Sequence, residues 1–291
     1  MDSEPCRLRS GTLSLEVAPL GAEMQYLRTA AGDDLLWQGD PAFWSGRAPV
    51  LFPIVGRAVD DIIATGESSA PMPQHGFARR ILFTLEERTD QMCRHVLTQN
   101  AETLAVYPFK FALGIAHRLS GNTLHVNAQV TNTGDTPMPF GLGFHPAFRW
   151  PLPGAAQAAH HVTLASGGTP ARAALHEGLL RPECLPGPFT DGDLEITDAL
   201  FNDGALVFPN ASDALRYGPR EGPALEFQFD NLPDLALWRP VGAPFLCIEP
   251  WHGTASYLGD GPQIAQRPNA LVLAPGGVAD FGYSVRYLDH T

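Results

Sequence analysis

Lysine is almost missing from this sequence: of 19 basic residues only Lys110 is a lysine, against 31 acidic residues. No G-x-x-x-x-G-K phosphate loop can therefore be built, and Schiff-base chemistry would rest on a single residue. The resulting net charge of −12 lacks the basic face that tracks nucleic-acid phosphates or docks on anionic lipid. Cysteine is sparse and scattered, at Cys6, Cys93, Cys184 and Cys247, with no C-x-x-C pair. Structural zinc and a dithiol motif are not expected, and a reduced, cytoplasmic setting is. No apolar run approaches the ~20 residues that span a bilayer. Met1-Asp2-Ser3-Glu4-Pro5 does not lead into the apolar core of a secretory leader. There is no G-x-S-x-G elbow, no H-E-x-x-H or H-x-H spacing and no βαβ unit, which removes the commonest serine hydrolase, metal and nicotinamide signatures.

What the chain does have is glycine (29), proline (27) and a hydrophobic share of 44%. That combination describes a turn-rich β protein rather than a disordered one. Period-2 alternation recurs along its length. Leu13, Leu15 and Val17 share one face, as do Leu124, Val126, Ala128 and Val130, and Leu225, Phe227 and Phe229. Similar runs lie at Ile81–Glu87, Ala112–Leu119, Ala205–Phe208, Phe245–Ile248, Ala270–Leu273 and Tyr283–Leu288. No segment keeps a 3.6-residue stripe for three turns. The best helical candidates are short, near Asp40–Gly46 and Asp193–Asn202. The expectation is one all-β domain over 1–291, a large antiparallel sandwich with both chain ends in its sheets. Pro151–Pro188, rich in Ala, Gly and Pro, reads as a long excursion rather than a boundary.

Four segments depart from this background. Ala48–Arg57 is an apolar run ending in Gly56-Arg57, where a guanidinium fork could meet a polar ligand or simply solvent. Pro73-Gln74-His75-Gly76 places a histidine on a turn. Gly141-Leu142-Gly143-Phe144-His145-Pro146 holds an imidazole on extended backbone ahead of proline, with glycines that permit close approach. Phe245-Leu246-Cys247-Ile248-Glu249-Pro250-Trp251-His252 ends an apolar run in a carboxylate, a residue rarely buried without a partner. Trp251 beside it supplies a flat face of the kind on which sugar C–H groups stack. His145, His75, His252 and Glu249 could also make an N/N/O metal set, but none of the local spacings that chelate a metal is present, and no metal is expected.

These segments resemble the aldose 1-epimerase (galactose mutarotase) superfamily, and its LacX-like branch in particular. The resemblance starts at Gly21-Ala22-Glu23-Met24 and Leu36-Trp37-Gln38-Gly39-Asp40. It continues through Leu51–Arg57 and His75-Gly76-Phe77-Ala78-Arg79, and ends at His145-Pro146 and Cys247–Trp251. It implies a β-supersandwich of two large, mostly antiparallel sheets and a cofactor-free isomerase that interconverts the anomers of a free aldose. By the same resemblance His145 is the general acid, Glu249 the general base, and His75 and Arg57 bind the sugar. Asp203 is the candidate for the family's hydroxyl-binding aspartate, and Trp238 for a cleft wall.

The chemistry is consistent with those residue types. Opening a hemiacetal removes a proton from the C1 hydroxyl and adds one to the ring oxygen, so it calls for a paired base and acid. The two groups are expected to face each other across a gap the width of a pyranose. Three alternatives remain at this point. One is a hexose-6-phosphate mutarotase drawing on Arg57, Arg79 and Arg80. Another is a non-catalytic sugar-binding protein of the same fold. The third, a lyase or hydrolase on a similar sandwich, would want a second carboxylate. The partner expected is a small sugar, with no nucleic acid and no membrane, and the chain is expected to act as a monomer or homodimer.

Overall fold

The computed structural model describes residues 4–211 and 213–289. A nine-stranded antiparallel sheet forms one layer. Its spatial order is Asp193–Glu195, His161–Leu164, Ala214–Gly218, Ala224–Asp230, Val278–Leu288, Thr123–Asn132, Phe111–Ser120, Met92–Thr98 and Thr84–Arg88. The alternation read from the sequence is the alternation observed. Leu124, Val126, Ala128 and Val130 are buried, while Asn127 and Gln129 between them are exposed. Thr123 pairs with Ser120 across the two-residue loop Gly121-Asn122. Gly121 at φ +58° supplies the positive φ that a tight hairpin needs at its first central position.

The second layer is smaller and carries the chemistry. Its order is Leu206–Phe208, Asp234–Trp238, Phe245–His252, Leu142–Phe144 and Val50–Leu51, with Ala147–Arg149 also paired to Phe245–His252. This sheet is buried on both faces. Leu246 and Ile248 of the central strand join the main core with Phe144, Leu235, Leu237 and, from the large sheet, Val126, Phe227 and Tyr283. Phe245, Cys247 and Trp251 point the other way, into two smaller apolar clusters. Glu249 sits between Cys247 and Trp251 in the same alternation, so strand geometry alone puts it on that second face. A strand covered on both sides reads as a continuous apolar run, which is why Phe245–Ile248 showed no polar alternation.

A three-stranded sheet of Cys6–Arg9, Leu13–Val17 and Met24–Thr29 covers one flank of the core. Both the first and the last strands of the described residues thus lie in sheets. No helix among the described residues is long and apolar enough to cross a membrane.

The helical expectations need correction. Asp40–Gly46 is a turn in which the Asp40 carboxylate accepts from Ala42 N at 2.9 Å and its carbonyl accepts from Phe43 N and Trp44 N. Asp193–Asn202 splits into the edge strand Asp193–Glu195 and a single 3₁₀ turn, Asp198–Phe201. The α-helix among the described residues is Ala101–Val106, opened by a reciprocal cap between Asn100 and Thr103. At six residues it is too short to display a helical period. Pro151–Pro188 includes the strand His161–Leu164 and a hairpin, Arg172–His176 with Leu179–Leu185. The hairpin turns through Glu177 (φ +50°) and Gly178 (φ +82°). Leu180 N donates to Ser256 O at 2.9 Å, and Leu258 N to Leu180 O at 2.7 Å, which anchors the hairpin beside the small sheet.

Candidate functional site

A cavity of about 470 Å³ opens over the second face of the small sheet. That size lies within the range of small-molecule sites, roughly 300–1,000 Å³. Its wall draws on Val207, Trp238, Glu249 and Trp251 from the sheet, His145 and His75 from loops, and the hairpin tip Glu177-Gly178. Cross-strand register explains the floor. Ala236 lies opposite Glu249, and Gly143 lies opposite Trp251. A methyl group at Gly143 would meet Trp251 Cδ1 at 2.5 Å, so glycine there lets the indole lie flat against the backbone.

His145 and Glu249 meet directly, with Nε2 3.1 Å from Oε2 and both residues buried. They do not face each other across a gap the width of a pyranose, as the sequence suggested. The reason is chemical. The ring oxygen and the C1 hydroxyl are bonded to the same carbon, so the groups that move their protons belong side by side. Within the protein Glu249 Oε2 has no hydrogen-bond partner of good geometry, and neither has His145 Nδ1. Burial raises the Glu249 pKa well above the carboxylate range and lowers that of His145. Each group therefore resists carrying charge alone, which favours the arrangement in which the pair holds one proton between them.

The His145 ring is framed by aromatic groups. Trp44 stacks on it at 4.9 Å and 28°, and Trp238 meets it edge-on at 5.6 Å. His75 lies perpendicular to it at 5.5 Å. His75 occupies a left-handed backbone conformation (φ +67°), uncommon for a side chain of this size. Gly76 follows with φ +70°, where a Cβ would overlap the Phe52 carbonyl. The turn holds because His75 N donates to Gly56 O at 3.0 Å and Gly56 N donates to His75 Nδ1 at 3.1 Å. An accepting Nδ1 places the proton of the neutral ring on Nε2. Burial, then the neighbouring His145, Arg79 and Arg267, lowers the His75 pKa well below its usual value and keeps the ring neutral.

The other site candidates separate. Trp238 and Asp203 line the cavity, Asp203 as an exposed residue on a turn before Leu206–Phe208. Arg57 is not among the cavity-lining residues. Its guanidinium makes a two-pronged ion pair with Asp61, at 2.8 and 2.9 Å, and donates to Glu177 O behind the hairpin tip. The arginine that does line the cavity is Arg79, at the end of the His75 segment, with its Nε buried and without a partner. Asp61, four residues after Arg57, was the signal in the sequence that Arg57 already had an anion to bind. Trp44 and the hairpin tip were missed altogether. The tip comes from a segment with little apolar alternation, and only the pair Glu177-Gly178, suited to a tight turn, marks it. His252 leaves the cluster: its Nδ1 lies 2.8 Å from Asn231 O. Among the described residues, the group of potential metal donors that does assemble is His145, Cys247 and Glu249, with ligand atoms all within 4.8 Å of one another.

A family model described as aldose 1-epimerase matches residues 6–280. The plasmid-encoded Protein LacX of Lactococcus lactis subsp. lactis is 29% identical, covering 97% of this chain and 99% of that protein. The crystal structure of a galactose mutarotase related enzyme from Lactobacillus acidophilus superposes with a TM-score of 0.93 at 28% identity, covering 99% of this chain and 98% of that one. A galactose mutarotase-like protein from Lactobacillus casei gives 0.90 at 26% identity, covering 98% and 100%.

Proposed function

The chain belongs to the aldose 1-epimerase family, and from that premise we propose that it interconverts the α and β anomers of a free, unphosphorylated aldose at His145 and Glu249. The observation that carries this reading is the 3.1 Å contact between His145 Nε2 and Glu249 Oε2 at the wall of a sugar-sized cavity. In the ionised arrangement, with the shared proton on His145, Glu249 takes the proton of the C1 hydroxyl. His145 gives its own proton to the ring oxygen, and the C1–O bond to the ring breaks. This leaves an open-chain aldehyde, a neutral imidazole and a protonated carboxyl. Rotation about C1–C2 and closure on the other face, with roles reversed, forms the other anomer. Each proton transfer contributes about 10²–10⁴-fold. The low-polarity surroundings resist separate charges, so the energy spent in forming the ionised pair is returned as ring opening restores the neutral arrangement.

His75 donates its Nε2–H to a sugar oxygen and stays neutral throughout. Trp251, Trp44 and Trp238 offer flat faces to the pyranose, while Arg79 and Asp203 bind hydroxyls. The reading of an unphosphorylated substrate is supported by charge. Glu177 and Asp203 flank the cavity beside Arg79, and Arg57 is committed to Asp61. A phosphate entering there would meet two carboxylates and one available guanidinium. The test is mutarotation of glucose and galactose against glucose 6-phosphate in parallel. Faster anomer exchange with the free sugars is expected; preference for the phosphate ester would overturn the assignment.

A further inference from the structure

Cys247 occupies the position two residues before Glu249 on the same face of the strand, wholly buried. It is not among the residues that line the cavity. Ring opening makes no use of it. Yet its Sγ, His145 Nε2 or Nδ1 and a Glu249 oxygen all fall within 4.8 Å of each other. The geometry points to a second use of this place: a thiophilic divalent cation of the zinc class binds between His145, Cys247 and Glu249 and blocks the enzyme. This inference rests on the proposed acid–base pair for its effect on activity, but not for the binding itself.

The ligand set is one that such a cation prefers. Imidazole, thiolate and carboxylate are all zinc donors, with bonds of about 2.0–2.3 Å. Tetrahedral placement at those lengths puts ligand atoms roughly 3.3–3.7 Å apart. The His145–Glu249 separation is already 3.1 Å, and with all three ligand atoms within 4.8 Å of one another the sulfur lies at most about 1.5 Å too far from its partners. Charge favours it as well. A dication with one thiolate and one carboxylate sums to zero, so the assembly is neutral in surroundings that penalise any single charge. Glu249 Oε2, buried and without a hydrogen-bond partner in the protein, supplies an oxygen ready to accept. Binding sends the thiol proton and the proton shared by the pair to solvent. Because His145 and Glu249 line the cavity, a water or a sugar hydroxyl entering it can complete the shell. With its imidazole and carboxylate both coordinated, the pair can no longer move protons.

Cobalt(II) reports the site directly, because thiolate coordination gives an intense charge-transfer absorption that oxygen and nitrogen ligands do not. The exposed Cys184 is replaced first, by Cys184→Ser, to remove a competing surface thiol. In that background cobalt is expected to give the thiolate band, and zinc to displace it. Zinc is expected to inhibit anomer exchange reversibly, with activity restored by a chelator. Cys247→Ala should keep its basal turnover, lose the band and weaken zinc inhibition by at least about 10–100-fold, the cost of losing even an outer partner of a metal site. Cys247→Val, which fills the volume, should behave like Cys247→Ala. The inference is overturned if the band persists in both variants, if zinc inhibits them as it inhibits the parent, or if the parent shows no thiolate band. A parent that binds cobalt through Cys247 but has no mutarotase activity would leave the metal site standing and remove the acid–base reading instead.

Discussion

Replacing Glu249 by glutamine separates the catalytic and structural consequences of one buried carboxyl. Glutamine has the same shape, so the strand Phe245–His252 and its neighbours should be undisturbed. It cannot take a proton from the C1 hydroxyl. Loss of the general base is expected to lower turnover by about 10²–10⁴-fold, equivalent to roughly 3–5 kcal/mol in the barrier. Stability should move in the opposite direction. Burial raises the Glu249 pKa in the folded state well above its ordinary value of 4.5. As pH rises above 4.5 the unfolded chain releases this proton before the folded protein does. Stability from such a raised group is present below pH 4.5 and declines as pH rises through the folded value. Glutamine does not titrate. The Glu249→Gln protein should therefore gain on the parent by up to about 1.4 kcal/mol per pH unit above 4.5. Polarimetry of freshly dissolved α-glucose gives the first quantity and denaturant unfolding between pH 5 and 8 the second. Near-parental mutarotation would refute the base assignment. Parallel stability–pH curves for the two proteins would refute the claim that the pair keeps a proton.

Other predictions follow from the same contacts. Because the pair works only while it holds one proton, kcat/KM should fall at both acid and alkaline pH, and a profile with a single limb would contradict the shared proton. Gly143→Ala drives a methyl into the Trp251 indole and should cost about 1–3 kcal/mol in thermal unfolding, with a further loss of turnover; an unchanged melting point would contradict the close packing read there. His117, fully buried under the large sheet, has a pKa lowered by burial and then by His95 from 6.5 to about 3. Its depressed value means that stability is present above pH 6.5 and is lost as pH falls toward 3. Removing it in His117→Leu should flatten the acid limb by about 1.4 kcal/mol per pH unit.

Much of this molecule is written in its alternation. The period-2 runs at Leu124–Val130 and Leu225–Phe229 became central strands of the large sheet with the predicted faces inward, because one face of that sheet is solvated. The site was legible through backbone chemistry. Proline after His145 and Glu249, and glycine after His75 and before Arg57, marked the places where the chain makes turns or stiff extended ends. What a linear reading could not supply was distance. It separated His145 and Glu249 by a sugar's width when they touch, and it aimed Arg57 at a ligand when Asp61 already holds it. Trp44 sits on a turn that looked helical, and reaches His145 only because Gly46 leaves room beneath the indole. The hairpin Arg172–Leu185 forms part of the cavity wall from a stretch whose composition suggested only an excursion. The contact of His145 with Glu249 and the place of the hairpin in the cavity wall join residues remote in sequence, which no local pattern encodes.

The most direct measurement is magnetisation exchange between the α and β C1-proton signals of an equilibrium aldose solution, recorded with and without the protein across a panel of common sugars. No net reaction is needed, and both directions of ring opening are read at once. The account predicts accelerated exchange with at least one free aldose, abolished when Glu249 is replaced by glutamine. Exchange no faster than in buffer for every sugar, with sugar binding still detectable by calorimetry, would contradict it and leave a binding protein in its place.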